Sequence, residues 1–553
     1  LFRQEWVDLP WQWETARSLS AERHYQRGVA RAVRVHFLLS DLEDGGCRLL
    51  VYFGWVARSG WGMGLLWVIN RWMRQQYARV MLGIDVEAVA KRAERELRRN
   101  ERAEGPEFEL NEKRLQRGMA DLRERGFEDD ELELFAGYLR GASDGEVHRI
   151  RPRVLAHEMG TELQPFLRLL LHATRAGLLR LSWDVICPHC RGVRSEARSL
   201  GSLREYERCD VCDIDFSATA LESVEVTFRL HPELRVVGEV FYCSAEPAKK
   251  PHILLQRELG AGERWQSALT TAAGRYRVRT VPGVEGGALV FDLSSGAGGV
   301  SVSGVRREVE ESGAVEAKFE IDVGDGLRLR NLGEEAVLVV LEDASPDREA
   351  LRPSELFNLQ EFRDLFSEES IAPGLGLEVG HQTLLFTDIV GSSRLYADLG
   401  DPEAFKVVRD HFVALNDEVS LRGGAMVKTI GDAMMASFAN SEDALRAAVG
   451  IQRKFCPGGD ARVSLRISIH RGVCIAVKLD SGIDYFGHAV NWAAKMQVAA
   501  GAGEIAMSDS FFSLPGIADL VRAEGLDAEP VSFDFPEKTG EHRVFCGRFR
   551  AGR

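Results

Sequence analysis

Hydrophobic and polar positions divide this chain into stretches of different period. Val33-Arg34-Val35-His36-Phe37-Leu38-Leu39 and Cys47-Arg48-Leu49-Leu50-Val51-Tyr52-Phe53 read as antiparallel strands, and residues 61 to 80 as a long amphipathic helix. Residues 86 to 127 form a charged run rich in Glu and Arg, expected to be a solvated connecting helix. Asp130-Glu131-Leu132-Glu133-Leu134-Phe135 opens a more compact helical stretch that closes on Leu178-Leu179-Arg180-Leu181-Ser182-Trp183. From 224 to about 342 apolar residues alternate or cluster at 224–228, 276–281, 317–322 and 336–341, between Gly-rich turns, which predicts strands. Residues 346 to 373 read as a short helix within a linker. Beyond it, the apolar run Thr383-Leu384-Leu385-Phe386 predicts a buried strand closing on Asp388. Ala425-Met426-Val427-Lys428 and Met434-Met435-Ala436-Ser437-Phe438 predict a hairpin, with Gly431 at the bend and Asp432 beside it.

Composition narrows the picture. The hydrophobic fraction of 45% and charged fraction of 28% over 553 residues are those of several globular domains. A net charge of −14 disfavours non-specific binding to nucleic acid or anionic lipid. The most apolar stretch, 60 to 73, is interrupted by Arg71 and too short to span a bilayer, so no transmembrane segment is expected. No secretory signal pattern is present at the start; the chain opens on Leu1 rather than Met, which leaves open whether sequence precedes it.

Four of the nine cysteines form Cys187-x-x-Cys190 and Cys209-x-x-Cys212, with an 18-residue spacer. Two such knuckles predict a zinc ribbon in which four thiolates hold one structural Zn²⁺, leaving no open position for chemistry; redox sensing is the alternative. His189 lies inside the first knuckle and is expected to be a bystander. Paired knuckles beside scattered thiols suit a reducing compartment, so the cytoplasm is the expected location.

Chemistry concentrates at the C-terminal end. Two carboxylates on neighbouring strand ends, Asp388 and Asp432, are what a pair of Mg²⁺ ions needs, and the turn from Ile389 through Gly391, Ser392 and Ser393 can aim backbone N–H groups at phosphates. Lys428 and Asp484 offer a donor and an acceptor that complement the edge of adenine. Asn491 and Lys495 share one face of a helix beginning near Gly487. These motifs, with Asp484-Tyr485-Phe486-Gly487-His488-Ala489-Val490-Asn491-Trp492-Ala493-Ala494-Lys495 as the third, resemble in order the catalytic domain of class III adenylate and guanylate cyclases, over roughly residues 375 to 550. The resemblance implies that Asp388, Asp432 and the Ile389 carbonyl hold two Mg²⁺ or Mn²⁺ ions. It implies that Lys428 and Asp484 read ATP rather than GTP, that Asn491 positions the ribose, and that Lys538 binds the triphosphate. It also implies a homodimer with two sites at the interface. Where the family carries arginine on the transferring phosphate, this chain has Lys495, which keeps the charge but loses the planar fork.

The expected fold class is therefore α+β multidomain, ending in a ferredoxin-like class III cyclase palm. Residues 1–85, with seven of the ten tryptophans, resemble part of a START-like helix-grip domain; 86–182 is a helical, winged-helix-like unit and 183–218 the Cys₄ zinc ribbon. A β-sandwich at 219–345 and a helical linker at 346–374 precede the catalytic domain at 375–553. The tryptophans are expected in a packed core, with a small apolar ligand as the lesser alternative. The expected activity is an adenylate cyclase regulated by its N-terminal modules. The alternatives are a weakly active or silent nucleotide sensor, a cyclase of GTP or a pyrimidine nucleotide, and a zinc-dependent transcription regulator. DNA is not the expected partner, because no basic stripe is present.

Overall fold

A computed structural model of the chain describes residues 5–42, 45–82, 110–238, 247, 250–267, 274–281, 288–296, 299–308, 319–323, 327–455, 462–479, 482–534 and 541–549. The strands Glu5–Asp8, Gln12–Glu14, Ser18–Arg27, Ala30–Asp41 and Cys47–Ala57 are antiparallel, in keeping with the expectation for 33–39 and 47–53. They do not close on themselves. Gln12–Glu14 pairs with Ile253–Leu259, which carries the sheet on through Val337–Asp343, Gly274–Val281, Ala288–Gly296 and Gly299–Glu308, ten strands in all. Trp13 sits buried at this seam, its indole N–H donating to the Ile253 carbonyl at 3.1 Å. One sheet thus runs through both the 1–85 block and the 219–345 block. A smaller sheet of Arg264–Ser267, Leu327–Asn331 and Phe319–Val323 packs on it, with Leu329 against Leu255, Tyr276, Val278 and Leu341.

The structure departs from the sequence expectation at three places. The helix Gly60–Leu82 packs on the sheet through Leu66 against Ala30 and Val33, but leaves Trp61, Trp67 and Trp72 largely exposed, so these tryptophans are not packed core. The helix Glu112–Glu124, inside the run read as a solvated connector, buries Leu115, Gly118, Met119 and Leu122. Gly118 brings its backbone down on Leu178, whose side chain an added Cβ would meet at 2.5 Å. The strand Val224–Leu230 does not join the β-sandwich; it lies antiparallel to Leu179–Ile186, with Val226 opposite Trp183, and Val193–Ala197 completes that sheet. Alternation assigns faces to a strand but names no partner. No helix among the described residues is long and apolar enough to cross a membrane.

The helices Asp129–Gly141, Pro152–Met159 and Leu163–Arg175 pack with Glu112–Glu124 on this small sheet. Two short linker helices follow, Pro353–Phe357 and Gln360–Leu365. Phe357 and Phe362 lie 6.0 and 6.1 Å from the Trp183 ring, and their core continues without a break to Leu384, Phe386, Ile483 and Tyr485.

The C-terminal sheet has eight strands, in the order Ala425–Ile430, Ala433–Phe438, Gly376–Ile389, Leu465–Leu479, Ile505–Ser508, Glu541–Phe549 and Leu526–Asp534, with Gly482–Phe486 hydrogen-bonded to Leu465–Leu479. Gly376–Ile389 is central, which is why the run 383–386 is buried on both faces: Leu384 and Phe386 meet the linker core, while Leu385 meets the helices Asp401–Leu421 and Ser441–Lys454.

Candidate active site

The central strand brings Asp388 to its end, next to Ile389 and the turn Val390-Gly391. Gly391 adopts φ +76°, the left-handed conformation that lets the chain reverse into the helix Ser392–Leu399. Ser392 and Ser393 therefore occupy the first turn of that helix beside Asp388, the end of a helix whose backbone N–H groups suit an anion. The hairpin between Ala425–Ile430 and Ala433–Phe438 turns on Gly431 (φ +64°) and Asp432. Thr387 lies opposite Met434, so Asp388, one residue further, and Asp432, two residues back, stand at the same end of adjacent strands.

The surroundings of the two carboxylates differ. Asp388 faces Arg466 across the ladder, and the guanidinium donates to Oδ2 through Nε at 2.7 Å and through a terminal nitrogen. No spacing in the sequence ties residue 466 to residue 388; only strand register does, and sequence reading missed it. Asp432 Oδ2 is buried and has no hydrogen-bond partner among the described residues. A desolvated carboxylate oxygen without a donor is costly unless a cation supplies the missing charge. That fits a divalent-metal site built from Asp388, the Ile389 carbonyl and Asp432.

Lys428 and Asp484 come from two different strands and meet, Nζ to Oδ2 at 2.5 Å. Asp484 is buried, and its other oxygen accepts the Tyr485 backbone N–H at 2.7 Å. Asn491 and Lys495 lie on the helix His488–Met496, which buries Ala489, Trp492, Ala493 and Met496 against the sheet. The period of 3.6 then turns Asn491 outward, with Lys495 half-buried on the same side. Lys538 lies outside the described residues.

The second cluster is separate from this site. Cys187 and Cys190 follow the strand Leu179–Ile186, while Cys209 and Cys212 flank the turn of the hairpin Tyr206–Cys209 and Ile214–Ser217. The four thiol sulfurs lie within 4.8 Å of one another and all four residues are buried. Hydrogen bonding within the cluster lowers the Cys190 and Cys209 thiols and raises those of Cys187 and Cys212. Four convergent soft donors fit one tetrahedral zinc ion. The backbone carbonyl of His189 accepts from the His252 ring at 2.7 Å, and the His189 ring is buried near Arg279, Arg277 and Cys209.

Residues 378–515 match the family described as adenylate and guanylate cyclase catalytic domain, and residues 120–246 match a family of unknown function, DUF5939. The chain is 32% identical over 143 residues to an adenylate cyclase of Anabaena cylindrica, covering 22% of this chain and 28% of that protein. It is 31% identical over 164 residues to an adenylate cyclase of Mycosarcoma maydis, covering 25% of this chain and 6% of that one. The matched region thus spans less than a third of either relative. Among solved structures, the adenylyl cyclase CyaB from P. aeruginosa is similar at 17% identity and TM-score 0.26, over 31% of this chain and 95% of that one. The catalytic core of a rhodopsin-guanylyl cyclase with converted specificity, in complex with ATPalphaS, is similar at 19% identity and TM-score 0.28, over 32% of this chain and all of that one. The C-terminal part of the chain carries a class III adenylate/guanylate cyclase catalytic domain.

Proposed function

We propose that this domain converts ATP to 3′,5′-cyclic AMP and pyrophosphate, using two divalent cations at the interface of a homodimer. The observation that carries the choice of ATP is the Lys428–Asp484 pair, a cationic donor 2.5 Å from a buried carboxylate acceptor. Adenine presents N1 as acceptor beside its exocyclic amine, so Lys428 donates to the first and Asp484 accepts from the second. Guanine reverses both requirements, and its pairing would leave a buried carboxylate facing a carbonyl.

Asp388, Asp432 and the Ile389 carbonyl would hold Mg²⁺ or Mn²⁺, and the bound ions would acidify the ribose 3′-hydroxyl and neutralise the triphosphate. The backbone of Gly391, Ser392 and Ser393 cradles phosphate oxygens, and Asn491 orients the ribose. The 3′-oxygen then attacks the α-phosphorus in line, the bond to the β-phosphate oxygen breaks, and pyrophosphate leaves. Lys495 supplies positive charge where the transferring phosphate spreads its own. The four cysteines would hold a structural Zn²⁺ beside the small sheet, and the N-terminal units would regulate the domain through the linker.

Lys495 in place of arginine supports one competing reading, a slow or silent nucleotide sensor. The deciding experiment incubates the purified chain with each of the four nucleoside triphosphates and Mg²⁺ or Mn²⁺. Cyclic AMP as the dominant product supports the proposal. A preference for another nucleotide overturns the assignment of Lys428 and Asp484, and no product from any nucleotide supports the sensor.

A further inference from the structure

The two strands that carry Lys428 and Asp484 are both edges. Among the described residues, Ala425–Ile430 has a ladder partner only in Ala433–Phe438, and Gly482–Phe486 only in Leu465–Leu479. The first also carries a bulge: Met426 pairs with Ala436 and Lys428 with Met435, so Val427 is left out of the ladder just before the lysine. A bulge re-aims the side chain that follows it and weakens the pairing that would hold that aim. Neither edge alone fixes the distance between the two side chains.

One linker helix spans both edges. On Gln360–Leu365, Gln360 Oε1 accepts the Met426 backbone N–H at 2.8 Å, at the bulge itself. One turn on, Arg363 donates to the Ile483 carbonyl at 2.9 Å, the residue before Asp484, and its guanidinium lies 5.8 Å from the Tyr485 ring. Arg363 also donates to the Phe357 carbonyl at 2.8 Å, which locks its own direction. Asn358, just ahead of the helix, accepts the Tyr485 hydroxyl at 3.3 Å and donates to Gln382 at 2.8 Å. The opposite side of the helix is tied to the helical unit by Glu361 to Arg168 at 2.6 Å, and to the small sheet by Phe362 against Trp183.

We propose that Gln360 and Arg363 are positioning residues for base selection: bridging the two sheet edges, they set the separation of Lys428 and Asp484 and so the preference for adenine. The inference rests on the reading of Lys428 and Asp484 as the purine-binding pair. Hydrogen-bond discrimination between purines depends on both partners meeting one rigid edge, and a displacement of about 1 Å forfeits much of it. The same geometry makes the helix the point where a shift of the helical unit reaches the nucleotide.

The test compares full-length wild type with Gln360→Ala, Arg363→Gln and the double variant. Dissociation constants for ATP and for GTP are measured by equilibrium binding, beside turnover and melting temperature. The double variant is expected to lose about tenfold in the ATP-to-GTP affinity ratio, mainly by weaker ATP binding, with KM for ATP rising more than kcat falls. The Gln360 amide also donates to Asp364 Oδ1 at 2.8 Å, so the rescue combines Gln360→Glu, whose carboxylate accepts the same N–H, with Asp364→Asn; this pair is expected to retain the ratio. An unchanged ratio in a folded double variant overturns the proposal; should Arg363→Gln not fold, Gln360→Ala alone decides on the same ratio. A wild type that prefers ATP in binding yet forms no cyclic product removes the proposed activity while the ratio still judges the two positions. A wild type that binds both nucleotides equally, or neither, overturns the role of Gln360 and Arg363 as well.

Discussion

Arg466 and Asp388 stand opposite each other on adjacent strands, and both guanidinium donors converge on a single carboxylate oxygen, Oδ2. The arrangement fixes the carboxylate's orientation through one oxygen, as an outer-shell partner does in metal sites. Arg466→Ala is expected to raise the Mn²⁺ concentration needed for half-maximal turnover about tenfold, with KM for ATP little changed. Arg466→Lys keeps the charge but not the two-donor grip and should fall between the two. Titration of activity with Mn²⁺ checks this, and an unshifted curve for Arg466→Ala would remove the orienting role.

The contrast between Asp388 and Arg466 shows what was legible in the chain. Asp388 could be found because a continuous apolar run ends on it, and Asp432 because Gly431 marks a tight bend; both are local signals. Arg466 could not, since its partner is chosen by register between strands 78 residues apart. The same limit explains the strand Val224–Leu230, whose alternation is plain but whose partner Leu179–Ile186 is set by helices packed on both. Glu112–Glu124 was hidden for another reason: nine of its thirteen positions face outward or partly so, and their charge outweighs the narrow stripe of Leu115, Gly118, Met119 and Leu122.

Asp432→Asn separates function from stability. Its Oδ2 is buried without a hydrogen-bond partner among the described residues, so neutralising the side chain removes a desolvation penalty while deleting a metal ligand. Turnover is expected to fall at least about a hundredfold, with the melting temperature equal to or above that of wild type. A destabilised variant would mean that the carboxylate holds the hairpin together.

Metal analysis of the purified chain is expected to return one zinc per chain, bound by Cys187, Cys190, Cys209 and Cys212. Chelation should lower the melting temperature, because the hairpin Tyr206–Cys209 and Ile214–Ser217 is otherwise joined by only two short strands. Cys212→Ser should reproduce the loss without chelator. Full thermal stability in a zinc-free chain would leave the cluster without its structural role.

Acid should weaken the catalytic domain through His470. Burial, and then the charge of His488, push its pKa from 6.5 down to about 4, and its Nδ1 lies 2.9 Å from Ser508 Oγ. A histidine held neutral in the fold but protonated when unfolded contributes fully above pH 6.5, and that contribution is lost as pH falls towards 4. The full span is worth roughly 3 kcal/mol. His470→Gln should flatten stability between pH 6.5 and 4 in urea titrations. An unchanged slope would place the acid sensitivity elsewhere.

Lys495 sits one turn after Asn491 on the helix His488–Met496, half-buried, while Trp492 and Met496 pack against the sheet. If its ammonium stabilises charge on the transferring phosphate, Lys495→Ala removes a transition-state donor worth about 3 kcal/mol, a loss of roughly a hundredfold in kcat. Lys495→Arg restores a planar fork able to grip two oxygens and should equal or exceed the wild-type rate. Steady-state kinetics with ATP and Mn²⁺ separate the cases, since the loss must appear in kcat rather than KM. A large fall in Lys495→Arg would show a pocket shaped around lysine, and an unaffected Lys495→Ala would mean that the charge of the phosphate is met by other groups.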